Sequence, residues 1–187
     1  MSSKKNLYLF DFDGTLTKVD TLFDFLKFSF PTTYKVKYIQ FIPLFILTKL
    51  KLKNTENVKK KFIFSFLKKK SKLEIKDLSE AYFKHRGKEI LRTPGLEYIH
   101  KIDNFHDVYI VSASLDIWLE PFADYIKAKL ICTKVEFDFN QVLTGNFSTP
   151  NCNYEEKKKR IERELDLNQY QCIYAFGDTK GDEAMFS

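Results

Sequence analysis

Glycine is missing from a long part of this chain, with none between Gly14 and Gly87. Arginine and acid are almost missing from the same part: Phe25 to Leu73 holds thirteen lysines, no arginine and one acid, Glu56. That segment carries +12, so with +6 for the whole chain the remainder carries −6. An acidic body therefore bears one strongly basic insert. The lack of arginine and of any recognised binding motif speaks against nucleic acid; an anionic membrane surface or an anionic substrate suits the lysines better. Long apolar runs are lacking as well. The longest uncharged window of that segment, Tyr38 to Thr48, has eleven residues, about 17 Å as a helix against a hydrocarbon core of about 30 Å, and Pro43 is expected to interrupt it. No transmembrane helix is expected. Cysteine is scarce: Cys132, Cys152 and Cys172 are an odd number with no CxxC. This points to a reducing, cytosolic compartment, with Cys132 and Cys172 as core strand residues. The start, MSSKKNLYLF, runs straight into an apolar strand and leaves no room for a signal peptide, as expected of a cytoplasmic N-terminus.

What is present is organised around Leu7–Thr17, LYLFDFDGTLT. Leu7 to Phe10 form a short apolar run, two carboxylates follow at Asp11 and Asp13, and Gly14-Thr15 turns the chain. Such a run reads as a buried strand of a parallel sheet, with the acids at its carboxyl end, where open α/β sheets place their ligands. Two negative charges so close to a buried strand are costly without a cation or protons to compensate. A metal site is the first inference.

With 187 residues, 44% of them hydrophobic, the chain can bury one core and a small accessory lobe. Residues 21–90 are rich in Phe, Tyr, Leu and Lys. Tyr34, Tyr38, Phe41 and Phe45 recur at helical spacing, and three to five helices are expected, broken near Pro31 and Asn54. That aromatic stripe is expected to be the lobe's own core more than a lipid-binding face. From Thr93-Pro94-Gly95 an α/β rhythm returns. A helix over Leu96–Ile102, a strand at Val108–Val111 and a helix through Trp118 and Phe122 lead to a strand at Leu130–Cys132. A hairpin of Val135–Phe139 with Val142–Phe147, a charged helix over Glu155–Leu165 and a strand at Cys172–Phe176 follow. Strands alternating with helices imply a parallel sheet with right-handed crossovers. Three of its four strands end in small or acidic residues: Asp11/Asp13, Ser112 and Asp178/Asp182.

Asp-x-Asp-Gly-Thr after the first strand, Ser112 after the second, a lysine early in a late helix and Gly-Asp-x-x-x-Asp after a further strand together resemble the haloacid dehalogenase-like (HAD) phosphohydrolases. The order of these motifs matters, since the serine or the lysine alone would mean little. The helical segment between the first two motifs is similar to the C1-type cap of the phosphoserine-phosphatase-like branch. The resemblance implies an α/β fold with a Rossmannoid core of residues 1–20 and 91–187 and a helical cap of residues 21–90.

It also implies roles. Asp11 would attack phosphorus to form an aspartyl-phosphate, and Asp13 would protonate the leaving oxygen and later activate water. Dehalogenases of the superfamily lack an acid two positions on, so Asp13 favours phosphatase chemistry. Mg²⁺ would be held by Asp11, the backbone carbonyl of Asp13, Asp178 and Asp182. Ser112, with the backbone of Ala113 and Ser114 at the following helix start, would bind a phosphoryl oxygen. Lys157, with Lys158 as the alternative, would hold nucleophile and phosphate together.

Asp20 stands where the phosphoserine enzymes carry a substrate-sensing glutamate. Their early cap arginine has no counterpart; Arg86 and Arg92 come only at the end of the segment, which weakens the case for phosphoserine itself. The basic, aromatic cap resembles that of phosphatidylglycerophosphatase-type members, which implies a phosphorylated, lipid-linked substrate presented at the inner membrane surface. A small-metabolite phosphatase and a non-catalytic membrane-surface module stay open as alternatives. Relatives continue with another helix and strand, whereas this sequence stops five residues after Asp182. One sheet edge and the wall behind the metal site are therefore expected to be incomplete.

Overall fold

The computed structural model describes residues 4–187. Four parallel strands form the central sheet: β1 (Lys5–Phe10), β2 (Asp107–Leu115), β3 (Lys129–Thr133) and β6 (Tyr170–Phe176), in the order β3-β2-β1-β6. The period-2 alternation of each strand divides its apolar side chains between two cores. Phe10, Ile110 and Cys132 face one, while Leu7, Leu9, Val111 and Ile131 face the other. Near-continuous hydrophobic strands covered on both sides are what an interior parallel sheet demands. The covering helices are α6 (Thr93–His100), with Pro94 in its first turn, α7 (Asp116–Ile126) and α8 (Glu155–Glu164).

β6 is an edge strand, and there the expectation for Cys172 fails. Cys172 is exposed, as are Ile173 and Tyr174, because nothing among the described residues packs over that part of the strand. Cys132, on a strand covered on both faces, is fully buried.

Between β1 and β2 lies the helical insertion: α1 (Thr21–Ser29), α2 (Pro31–Lys49), α3 (Thr55–Leu67), α4 (Lys72–Tyr82), a π-helical turn over Phe83–Gly87 and a single turn α5 (Lys88–Ile90). Side chains close the starts of α1, α3 and α4: Asp20 accepts from Leu22 N, Asn54 from Asn57 N, and Ser71 forms a reciprocal capping box with Glu74. The lysine- and phenylalanine-rich stretch from Lys60 to Leu67 is helical, as part of α3. Pro43, expected to interrupt the second helix, lies inside it. A proline removes one helical bond, and here the turns on both sides are clamped by packing: Tyr34, Tyr38, Phe41 and Phe45 all meet the ring of Phe62 on α3.

The insertion leaves and re-enters the α/β body at one place. Thr17 bridges Leu91, Lys18 N donates to Ile90 O at 2.8 Å, and Arg92 N donates to Leu16 O at 2.8 Å. It is not an independent lobe. Phe25 of α1 stacks on Trp118 of α7 at 5.2 Å, and Tyr82 of α4 meets Phe122 at 5.8 Å, so α1 and α4 share the body's core, which α3 extends through Phe62 to Leu67, while α2, with no buried residue, lies outermost. The hairpin β4 (Val135–Phe137) and β5 (Leu143–Phe147) leans on the insertion, with Leu143 N donating to Lys70 O and Phe64 packing against Phe147.

Candidate functional site

The carboxyl ends of β1, β2 and β6 open toward a cavity of about 530 Å³ beneath the helical insertion. Asp11 follows β1 directly, and its N–H donates to Phe176 O at 2.8 Å, which pins it to the end of β6. After β6, Thr179 caps the 3₁₀ turns of Lys180–Phe186 in a capping box with Asp182. That cap orients Asp182: one oxygen accepts from Thr179 N at 3.0 Å and from its hydroxyl at 2.9 Å. Tyr154 N donates to Gly181 O at 3.0 Å, which fixes the start of α8 against the same turns and brings Lys157 inward.

Lys157 is buried between the two acids, its Nζ 2.6 Å from Asp11 Oδ1 and 2.5 Å from Asp182 Oδ1. Lys158 instead points outward to Ser187 Oγ at 3.3 Å. The two carboxylates sharing one ammonium differ in their other partners. Burial pushes the Asp11 carboxyl up to about 6, against the pull of Lys157 and with help from the Asp182 and Asp13 charges. Burial acts on Asp182 too, but Lys157 and the two Thr179 donors outweigh it and hold that carboxyl below its ordinary range.

Asp178 completes the acidic group. Asp11, Asp178 and Asp182 each offer an oxygen within 4.8 Å of the others, and Thr15 Oγ1 donates to Asp178 at 3.2 Å. Three hard oxygen donors around one point, with one of them exposed, fit Mg²⁺ and suit a soft metal poorly. The side chain of Asp13 lies outside this group. It accepts from Thr21 N at 2.7 Å, Thr21 Oγ1 at 2.6 Å and Ser114 Oγ at 2.5 Å. Ser112 is buried and accepts from Ser114 N at 3.0 Å, leaving its own proton for a second partner. Asp20, Ser112, Ala113 and Ser114 all line the cavity, and burial with the nearby Asp13 charge pushes Asp20 up to about 6.

Against this geometry stand the similarities to known proteins. Residues 8–187 match the family described as haloacid dehalogenase-like hydrolase. The chain belongs to that family. It is 27% identical over 189 residues to Protein CicA of Caulobacter vibrioides, covering all of this chain and 84% of that one. Its fold is shared with a protein of unknown function from Bordetella pertussis Tohama I (TM-score 0.84, 18% identity, 98% of this chain and 86% of that one). It is also shared with a phosphoserine phosphatase studied as a phospho-aspartyl intermediate analogue (TM-score 0.63, 22% identity, 98% and 83%). The HAD-like core and the phosphoserine-phosphatase-like architecture are thus shown for this chain.

Three contacts of this HAD site had no signal in the sequence. Thr21, the first residue of α1, is one of two side chains that hold Asp13; it reads as an ordinary helix-start residue. Ser114 bonds the Asp13 carboxylate, where a phosphoryl contact was expected. Lys59 of α3 reaches down from the insertion, its Nζ 2.8 Å from Ala113 O and 3.4 Å from Asn151 Oδ1. Burial lowers its pKa against the pull of Asp13 and Asp20. Nothing in the sequence separates it from its twelve fellow lysines of that segment.

The backbone of the motif is as constrained as its acids. Gly14 has φ +86°, and a Cβ there would sit 2.3 Å from Asp178 Oδ2; one at Gly177 would sit 2.5 Å from Asp182 Cβ. Gly14→Ala is therefore expected to displace Asp178. Affinity for a divalent cation, measured by titration calorimetry, should fall about tenfold or more, a loss of one ligand's worth of binding. Stability in urea should fall by about 1–2 kcal/mol from the left-handed strain.

Proposed function

We propose that this chain is a Mg²⁺-dependent phosphomonoester hydrolase that works through an aspartyl-phosphate on Asp11, with a phosphorylated, lipid-linked substrate. The observation that carries the reading is Lys157 lying between Asp11 and Asp182 beside Asp178, with Asp13 held next to them. An anionic phosphoryl group meeting an anionic nucleophile needs positive charge close by. Lys157 supplies one part of it, and a bound Mg²⁺ would supply the rest by neutralising phosphoryl oxygens and the acids.

Asp11 Oδ attacks phosphorus, forming an O–P bond as the bond to the leaving alkoxide breaks. Asp13 delivers a proton to that alkoxide and then takes one from the water that releases phosphate. To do so it must free one oxygen, and Oδ2, whose one partner is the rotatable Ser114 hydroxyl, is freed when that hydroxyl turns, while Oδ1 keeps both Thr21 donors. Ser112 donates to a phosphoryl oxygen. Cap helices over the cavity limit access of bulk water to the intermediate.

Val19, Leu22, Phe23, Phe45, Val58 and Phe62 line the cavity. An apolar wall of this kind favours a substrate with a hydrocarbon portion. The cap's lysines suit an anionic bilayer presenting it, so the protein would work at a membrane surface. A small zwitterionic phosphomonoester such as phosphoserine is the second reading, favoured by Asp20 and Lys59 in the same cavity.

The test is phosphate release with and without Mg²⁺ from an aryl phosphate, soluble phosphoserine and a micellar lipid phosphomonoester. Turnover should vanish in chelator, return with Mg²⁺ and be at least about tenfold higher in kcat/KM on the micellar substrate. Equal or faster turnover of phosphoserine would move the assignment to the small metabolite. Complete inertness toward all three would leave a binding module.

A further inference from the structure

A cap helix that only covers a cavity should be polar on its outer side, and α2 is not. Its aromatic residues, Tyr34, Tyr38, Phe41 and Phe45, pack inward around Phe62. On the opposite side, Val36, Ile39, Ile46 and Leu50 follow one another at helical spacing, with Pro43 between them, and Leu52 continues the patch past the helix end. These five aliphatic residues are each between 52% and 67% exposed. No residue of α2 is buried. Solvent contact for an aliphatic row of this length is unusual in a monomeric protein and marks a docking surface.

The row is edged by like charge. Lys35, Lys49, Lys51 and Lys53 flank it, and Glu56 is the one acid in the whole segment from Phe25 to Leu73. A second copy of the chain would bring two such lysine fields together, which repels. An apolar stripe bordered by lysines matches the boundary between acyl chains and anionic headgroups. Among the described residues no helix is long and apolar enough to cross a membrane, so α2 would lie along the surface, not through it. The stripe also ends where the cavity begins: Phe45 and Thr48 of the same turns, with Thr55 and Val58 just beyond, are cavity wall.

We infer that the outer face of α2, with Leu50 and Leu52 at its end, inserts into the surface of an anionic lipid bilayer and sets the cavity mouth against it. This deepens the lipid-substrate reading and rests on it for the purpose of the contact. The contact itself is measured without turnover.

The experiment is flotation of the full chain with vesicles of phosphatidylglycerol and phosphatidylcholine, and with phosphatidylcholine alone, at about 0.1 M salt. Wild type should partition at least about tenfold more strongly onto the anionic vesicles, and Ile39→Gln/Ile46→Gln should lose about tenfold or more of that binding. Neither residue lines the cavity, so hydrolysis of a soluble aryl phosphate should be unchanged in the variant, which also reports its folding. Failure of wild type to float overturns the proposal. So does a variant that floats equally well, since the lysines alone would then hold the protein. A wild-type dimer that the substitutions dissociate would assign the stripe to a second copy, and selective capture of an acidic protein in place of lipid would assign it to a protein partner; either overturns it. If both proteins are inert toward aryl phosphate, the hydrolase reading falls while flotation still decides the surface.

Discussion

Asp11→Asn is expected to lower kcat for an aryl phosphate by about 10⁴-fold or more, because the amide cannot form the acyl phosphate and no other carboxylate can replace it. Asp13 is turned to Thr21 and Ser114, and Asp182 is tied to Lys157 and Thr179. Folding should survive the change. Burial has raised the Asp11 carboxyl to about 6 from an ordinary 3.8, so at pH 7.5 the ionised group weakens the fold, and this penalty disappears as pH falls from about 6 toward 4. The amide removes the penalty while Lys157 keeps Asp182 as its partner. The melting temperature of the variant should therefore stay within a few degrees of wild type at pH 7.5. Stopped assays of phosphate release, paired with calorimetric melting, check both halves. Retention of more than about a hundredth of wild-type turnover by a folded variant would remove Asp11 as the nucleophile.

The parts of this molecule that the sequence made legible are those where chemistry and local geometry coincide. A carboxylate directly after a buried apolar run must lie at the end of a strand, and parallel strands turn their ends the same way. Asp11, Ser112, Asp178 and Asp182 thus declared a common rim before any coordinates. The parallel sheet, the inward aromatic stripe of α2 and the hairpin followed from period and turn residues of the same kind.

What stayed hidden depends on contacts between distant segments. Whether Cys172 is core or surface depends on what packs over its face of β6, since Cys132 on the other edge strand is buried, and periodicity carries no information about neighbours. Pro43 ends many helices, but packing on both sides outweighs the loss of one hydrogen bond. Thr21 and Ser114 are 93 residues apart and meet at Asp13 only because α1 docks against the end of β2. The aliphatic side of α2 was hidden by its own composition: apolar residues on both faces weaken the periodic signal that would have separated them. Lys59 was invisible for the opposite reason, being one of many.

Lys157→Met should produce the second large effect, and one that separates charge from packing. Methionine keeps most of the buried volume of the stem, so cavity formation contributes little. What is lost is the ammonium that two buried carboxylates share at 2.6 and 2.5 Å. Asp11, already raised by burial, loses its main opposing charge and should rise further; Asp182 loses the contact that helps hold it low. Both shifts favour the protonated acids in the folded state. The variant should therefore be less stable than wild type by about 3 kcal/mol at pH 7.5 and recover part of that as pH falls through the raised carboxyl values, the reverse of wild-type Asp182. Turnover should drop about 10²–10³-fold, with the acid limb of the kcat/KM profile moved to higher pH because Asp11 must be ionised to attack. Since a divalent cation would then be the only strong positive charge left beside the acids, added Mg²⁺ should raise the melting temperature of Lys157→Met more than that of wild type. An acid limb that stays in place in a folded variant would mean that Lys157 braces the site without tuning its nucleophile, and Asp11 would then owe its ionisation to the metal alone.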